Sequence, residues 1–552
     1  MTRRDWMGPA LIASVALLAL AASITSIGHD FTFDDRYVIL ANEHVHALKG
    51  MWRLFGETYW PRELGGDGYR PLVMSLFTLQ WVAGGGAPWV FHLVNIVLAV
   101  GAALAVQWCA AAILPPVGAW IAAALFAVHP VHVEATGNVV GQSELLVAIC
   151  VCLAVGIYLR ARRTGPLRPR TAAAILGLYV LGLLSKEHAI VLPLLLGAAE
   201  WTVIRDTTPL ARNREMRLFA LLLVVISAAF LLVVDRLHGG SLGFDPHPAF
   251  RYTQMSNLDR IATMMLVMPR IARLLVFPTH LSGDYSPPDV PLANGLDVMQ
   301  LPGVFICLGV VLLAIAFRRK SPVVSFGLCW MTLAFLPVSN LLMPGGFIVA
   351  ERTLFLPSVG VVLVAGAIVA RVYERGRRQE RWIAGAVTMV LLTLGVARSI
   401  DRQRVWKNNS VFFDVLVQDV PNSYRAHFLR ARTLGAENRL IEAEQEHRTA
   451  MRLFPYDVYM MLAIAADYHR VGACSLTNAL IQWSYVVVPQ SAHGRYAYVE
   501  CLAHEHRWAD SRTEALKAMA FVPDYGVRRL RRAVVRADSV LGRGYKRRGH
   551  NP

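Results

Sequence analysis

Eleven apolar runs, each near the length that crosses a bilayer, crowd the first 400 residues of this 552-residue chain. A hydrocarbon core about 30 Å thick takes about 20 apolar residues per helix. The runs lie near 7–28, 88–113, 117–134, 142–160, 171–185, 188–204, 217–235, 301–317, 323–341, 353–371 and 381–399. In lipid every backbone polar group must find its partner within the protein, so runs of this kind predict helices. Residues 1–400 are therefore expected to form an all-α, polytopic membrane domain of about eleven transmembrane helices. Composition agrees: 55 % of residues are apolar and 17 % charged, below the roughly 25 % charged of a soluble domain. That balance excludes a disordered or nucleic-acid-coating chain despite a formal charge of +17, and no nucleic-acid partner is expected.

Arginine placement orients the bundle. Cytoplasmic segments carry the basic residues of a membrane protein. With Arg3 and Arg4 inside, the clusters in 160–170, 205–217, 318–320 and 371–381 all fall on one side, together with the Pro115–Pro116 turn. An odd number of spans then sets 401–552 outside, with the N-terminus cytoplasmic. Two apolar stretches do not fit as spans. Segment 258–278 contains Arg260, Arg270 and Arg273, and 71–83 is too short; both read as interfacial or re-entrant helices on the outer face. The first run has basic residues before it, as a signal peptide would, but is long for one and reads as a retained helix. Polar chemistry collects in the external loops, of which 29–87 and 236–300 are large.

Beyond residue 400 the chain reads as an ordinary soluble segment with its own period. Pro421, Pro455, Pro489 and Pro523 are each 34 residues apart, the period of tetratricopeptide repeats. Three helix pairs are expected at 422–455, 456–489 and 490–523, within a helical domain over 401–541. Small residues at Ala431, Ala465 and Val499, at Ala443, Thr477 and Ser511, and at Ala450, Ser484 and Ala518 would let the two helices of each pair approach. Such arrays offer a concave groove to a peptide partner. A basic end follows: Arg528, Arg529, Arg531, Arg532, Arg536, Arg543, Lys546, Arg547 and Arg548, against Asp538. It is expected either to tether the array to anionic membrane lipids or polymer, or to serve as a solvated end; 542–552 is its tip. Cys474 and Cys501 lie in this soluble part, the other five cysteines in apolar runs, and no spacing suggests zinc or redox chemistry.

Candidate chemistry gathers on the outer face. Asp34 and Asp35 follow the first span directly. Adjacent carboxylates repel one another, so one of them can hold a raised pKa and serve as a general base; a solvated loop is the plainer reading. Arg70 opens the short interfacial helix. His129, His132 and Glu134 end the third span. They are metal-ligand types, but Pro130 breaks the helix that would align them, and hydrogen-bonded end residues are the simpler account. Lys186 and Glu187 sit between two spans with almost no loop, where ionisable groups are costly and functional by default. Arg352 precedes the tenth span and has the planar fork that clamps phosphate. No metal is assigned.

The segments FTFDDRYVILAN, YRPL, HPVHVEATGNVVGQSELL, LLSKEHAIVLPLLL and LPVSNLLMPGGFIVAERTLFLPSVG, followed by 34-residue repeats, resemble those of the transmembrane-and-tetratricopeptide-containing O-mannosyltransferases and their bacterial relatives. The resemblance covers nearly the whole chain, in the family's order. It implies a GT-C-like glycosyltransferase that takes a sugar from a polyprenyl phosphate outside the cytoplasm; for a bacterial relative this means the outer side of the inner membrane. A divalent metal is compatible with such an enzyme but not indicated here, since adjacent Asp34-Asp35 is not the Asp-x-Asp metal pattern. Asp34 and Asp35 take the catalytic role under this resemblance. Arg70, Glu134, His129, Lys186, Glu187 and Arg352 form the substrate and phosphate side. The acceptor would be a protein Ser/Thr hydroxyl held by the repeat groove, with direct displacement inverting the sugar. Only three repeats are present, fewer than in the family, which leaves a lipid or cell-wall glycan as an alternative acceptor. A different class, a non-enzymatic scaffold whose repeats recruit a partner, is opposed by the ionisable cluster alone.

Overall fold

The computed structural model describes residues 3–61, 66–204, 214–240, 246–253, 255–488, 494–520 and 524–542. They fold as helices without a named strand, in two compact units. The first comprises Met1–His247, Ser256–Tyr285 and Val290–Val420; the second comprises Pro248–Met255, Ser286–Asp289 and Pro421–Pro552.

Helices occur at all eleven apolar runs of the first unit, but only seven described helices are long and apolar enough to cross a membrane unaided. These are Gly8–Gly28, Pro88–Ala110, Val139–Arg162, Arg214–Leu237, Val298–Lys320, Glu351–Arg375 and Arg378–Trp406. An eighth is the pair Pro116–Ala127 and Pro130–Gly137, bent by 50°. Pro130 lacks the N–H that would continue the helix, which explains the break. Three further runs give the shorter helices Pro169–Ser185, Leu192–Thr202 and Pro322–Phe335. Helices at 71, 88, 116, 169 and 322 all begin on proline, whose fixed φ suits the first helical position and whose missing N–H costs nothing there.

The outermost helices show what surrounds the unit. Leu218, Leu221, Val224 and Leu232 on Arg214–Leu237, and Phe305, Leu308, Leu312 and Ile315 on Val298–Lys320, are exposed. Helices that are apolar on every side yet barely covered by protein require a lipid surround. The chain is an integral membrane protein. The arginine-bearing stretch at 258–278 is the helix Asn257–Val276, in which Arg260 is buried and donates to the Asn340 carbonyl and to Asn257 Oδ1. The other short stretch is the helix Pro71–Gly84.

The second unit is built of helical hairpins. Tyr424–Ala436 packs on Leu440–Leu453, Val458–Arg470 on Cys474–Val487, and Arg495–His504 on Trp508–Ala518. Their second helices start at 440, 474 and 508, one 34-residue step apart each time. The nine small positions named above are all buried. In two pairs a hydroxyl crosses between the helices: Thr477 donates to the Ala465 carbonyl at 3.3 Å and Ser511 to the Val499 carbonyl at 2.9 Å. Asp457 joins successive hairpins, capping the Met460 N–H at 3.0 Å and accepting from the Tyr424 hydroxyl at 2.8 Å. Cys474 and Cys501 form a disulfide between two hairpins. The helix Asp524–Val540 follows. Pro489, Pro523 and the basic tip 543–552 lie outside the described residues.

Candidate active site

A short loop after the first span carries the two aspartates, and its anchoring divides their roles. Phe33 sits at φ 57°, a left-handed conformation rare for a non-glycine residue. Its N–H donates to Asn409 Oδ1 at 2.7 Å, and its ring stacks on Phe412 at 5.4 Å. Thr32 ties the loop to the Trp406 carbonyl at 3.1 Å. Asp35 turns inward and is fully buried. Its carboxylate accepts the N–H groups of Val140 (2.8 Å), Val139 (3.1 Å) and Thr32 (3.3 Å). Burial pushes its carboxyl up to about 7, against the downward pull of those three donors. Asp34 turns the other way, onto Arg352.

Arg352 lies in the turn Glu351–Leu354 that starts a span. Its Nη1 meets Asp34 Oδ2 at 2.9 Å and Glu134 Oε1 at 3.0 Å, while its backbone N–H donates to Glu134 Oε2 at 2.9 Å. Glu134 is placed by the bend at Pro130. One guanidinium corner thus joins three separate segments, leaving its Nε and Nη2 without a partner among the described residues. Beside it, Glu351 accepts the Tyr285 hydroxyl at 2.5 Å and the Ser282 N–H at 2.6 Å, fastening the segment around Tyr285 to the same turn.

A second group adjoins the first. Arg70 donates through Nε to Glu187 Oε2 at 3.2 Å, and the Tyr69 N–H donates to Glu187 Oε1 at 2.7 Å. The guanidinium lies over the Tyr59 ring, 4.4 Å from its centre. A short backbone pairing sets this up: the Tyr59 N–H bonds the Gly68 carbonyl at 2.8 Å and the Trp60 N–H the Asp67 carbonyl at 2.9 Å. Gly68 has φ +75°, which favours glycine, and a Cβ there would sit tightly, 3.3 Å from both Tyr59 Cβ and Glu187 Oε1. The Tyr59 hydroxyl is buried and has no hydrogen-bond partner among the described residues. Lys186 donates to Glu144 at the start of Gln142–Arg162, and His188 Nδ1 lies 3.9 Å from the same carboxylate. The two groups interact electrostatically, Lys186 with both Arg70 and Arg352, and Tyr59 with Arg70, Asp34 and Arg352.

Of the residues singled out in the sequence, the structure assembles Asp34, Arg70, Glu134, Lys186, Glu187 and Arg352, with Asp35 just behind. His129 does not join them. Its Nε2 pairs with the Leu275 carbonyl at 3.0 Å and its Nδ1 accepts the Val131 N–H, as expected of an end residue. His132 Nε2 pairs with Ser358 Oγ at 2.8 Å between the Phe126 and Phe355 rings. Glu351, which adjacency offers as a partner for Arg352, instead accepts from Tyr285 and Ser282, while Glu144 and Tyr59 escaped the sequence reading. Glu144 stands in a quoted motif, but an acid near a helix start also reads as favouring the helix dipole. No group of three or more His, Cys, Asp or Glu placed to hold a metal occurs among the described residues. Arg352 and Lys186 supply positive charge at Asp34, Glu134 and Glu144. Arg70 and Arg352 keep unpaired guanidinium edges, each side chain about 20 % exposed, and such edges suit an oxyanion such as phosphate.

A polytopic helical membrane protein with a buried, partly unsaturated cluster of cations and carboxylates is the class these observations define. In sequence the chain is similar to protein O-mannosyl-transferases. It is 28 % identical over 478 residues to protein O-mannosyl-transferase TMTC4 of Homo sapiens, covering 76 % of this chain and 62 % of that protein. It is 24 % identical to TMTC1 of Homo sapiens, covering 82 % and 56 %. Over a shorter stretch of 297 residues, 50 % of this chain and 31 % of the relative, it is 33 % identical to Tmtc2 of Drosophila melanogaster. The chain therefore spans about three-fifths of the length of the first two relatives. No protein-family model matches it. Among solved structures it is similar to the archaeal oligosaccharyltransferase AglB of Archaeoglobus fulgidus, with 14 % identity, a TM-score of 0.43, and coverage of 73 % of this chain and 56 % of that one.

Proposed function

We propose that this protein is a GT-C-like membrane glycosyltransferase that moves a sugar, mannose by its homologues, from a polyprenyl phosphate to a polypeptide hydroxyl. The observation that carries the reading is the Arg352 corner: one cation joins a loop carboxylate, Asp34, to a helix-end carboxylate, Glu134, and keeps a free edge beside Arg70. In this reading Asp34 takes the proton of the acceptor hydroxyl, and the resulting oxygen attacks the anomeric carbon. The bond from that carbon to the phosphate oxygen breaks, its electrons leave with the polyprenyl phosphate, and the centre inverts. The free edges of Arg70 and Arg352 hold the departing charge, fixed in place before the reaction by Glu187 and Glu134; such preorganisation is the main source of electrostatic catalysis. Lys186, bound to Glu144, adds positive potential from behind. Asp35 is a positioning residue in this scheme, since both its oxygens already accept backbone N–H groups.

The Cys474–Cys501 disulfide supports placing the second unit in an oxidising, extracytoplasmic compartment, the side that the arginine distribution assigns to it. The 34-residue hairpin period supports a tetratricopeptide-like array that brings the acceptor chain. The full chain, reconstituted in lipid, should release polyprenyl phosphate and glycosylate an acceptor peptide when given a polyprenyl-phosphate-linked mannose. Release without an acceptor product would overturn the polypeptide assignment, and no release at all would overturn the enzyme.

A further inference from the structure

The last described helix, Asp524–Val540, has two unlike faces. One packs Leu530 and Val534 against Val499, Ala515 and Ala518 of the preceding hairpin. The other exposes Arg528, Arg529, Arg531, Arg532 and Arg536. Asp538 cannot neutralise them, being buried and held by Arg512 at 2.5 Å. None of the five has an acidic partner among the described residues; Arg529 lies 5.6 Å from the Tyr496 ring centre.

The rest of the unit treats many of its exposed cations differently. Arg439 pairs with Glu442 at 2.6 Å, Arg448 with Glu444 at 2.6 Å, Arg507 with Asp510 at 2.8 Å and Lys517 with Glu514 at 2.9 Å, and Arg470 pairs with Asp467. Each of these partners is three or four residues away, on the same helix surface. At that spacing like charges repel and destabilise a helix. Arg528 with Arg531 and Arg532, Arg529 with Arg532, and Arg532 with Arg536 stand in that relation without relief. A surface carrying many negative charges would remove the repulsion.

We propose that this face docks on the anionic phospholipid headgroups of the membrane that the first unit spans. Two features favour a bilayer over a soluble polyanion. Val535 and Val540 are 45 % and 55 % exposed among the arginines, and such a mixture suits the headgroup layer, where apolar side chains enter and guanidinium groups stay at the phosphates. The helix also belongs to the same chain as the membrane-spanning first unit, and such tethering raises the effective concentration of a bilayer above that of a soluble partner.

The test uses the full chain in nanodiscs of phosphatidylcholine, mixed with vesicles of phosphatidylcholine containing about 30 % phosphatidylglycerol, and reads co-flotation at low salt. Each arginine near an anionic leaflet contributes about fivefold in affinity. R528Q/R529Q/R531Q/R532Q/R536Q should therefore weaken binding by at least about 100-fold, and raising the salt should weaken the wild type in the same direction. The variant R439Q/R448Q/R470Q/R507Q/K517Q removes an equal charge from paired positions and should stay within about threefold of wild type. Replacing the five unpaired arginines by lysine keeps the charge and should retain binding, which decides the matter if the glutamine variant misfolds. Equal losses from both neutralised sets, loss with lysine, or tighter binding of an oligonucleotide than of the vesicles at the same salt would each overturn the proposal.

Discussion

Replacing Asp34 by asparagine, with Asp35→Asn beside it, separates the two neighbouring carboxylates. Asp34 makes one ion pair, 2.9 Å to Arg352, and Arg352 keeps two contacts to Glu134 in its absence. The amide oxygen of asparagine can still accept from Arg352, so the loss of stability should be near 1 kcal/mol. Turnover should fall much further, by about 10²–10⁴-fold, because asparagine cannot take a proton in the transition state. In barrier terms that is about 3–5 kcal/mol, several times the cost to the fold. Asp35→Asn should behave in the opposite way. The fold raises the Asp35 carboxyl to about 7 from an ordinary value of 3.8, so the native protein binds the proton more tightly than the unfolded chain. Its stabilising contribution is complete below about 4 and is lost as pH rises through about 7. Asparagine is uncharged throughout, so the variant should lose the part of the melting-temperature decline between pH 5 and 8 that belongs to this group. Its amide NH2 cannot accept the N–H groups that one Asp35 oxygen accepts, so the variant should lose about 1–3 kcal/mol of stability. At pH 6, where Asp35 is largely neutral already, the folded variant should keep turnover within about tenfold. The assay is release of polyprenyl phosphate by the full chain in nanodiscs, with melting followed on the same samples. Wild-type turnover in Asp34→Asn together with an inactive, normally folded Asp35→Asn would refute the assignment.

Three further outcomes follow from the same geometry. Arg70→Lys should raise the KM for a polyprenyl-phosphate donor by about tenfold with a smaller change in kcat, since lysine cannot bond Glu187 and present a free edge together; an unchanged KM would move the phosphate site to Arg352 and Lys186. Tyr59→Phe removes a buried hydroxyl that lacks a partner, so the variant should melt at or above the wild-type temperature, and a loss beyond about 1 kcal/mol would show that the hydroxyl is bonded. Cys474→Ser opens a loop of 27 residues and should cost the second unit about 3 kcal/mol, seen as a lower melting transition that reductant reproduces in the wild type; equal melting with and without reductant would count against it.

Chain-local information set much of the architecture. Lipid admits only self-satisfied backbone, so runs of apolar residues mark helices whatever surrounds them, and helices stand at every run. Length was less legible. The bend at Pro130 and the short helices Pro169–Ser185 and Leu192–Thr202 depend on how neighbours support an interrupted backbone, which hydropathy does not encode. The 34-residue proline spacing also lay open in the sequence, because close helix pairing needs small residues at fixed offsets and those positions are buried.

The site divides along the same line. The sequence marked Asp34, Asp35, Arg70, Glu134, Lys186, Glu187 and Arg352 by type and by nearness to span ends, since charged groups at the edge of an apolar run are too costly to be accidental. It could not pair them. That Arg352 meets Asp34 and Glu134, from segments more than 200 residues away, is decided by packing. So is the division between two adjacent aspartates, one facing a guanidinium and the other closed in by backbone N–H groups. Tyr59 was hidden for the same reason. A tyrosine in a loop has no sequence signature until the fold lays an arginine across its ring and buries its hydroxyl without a partner.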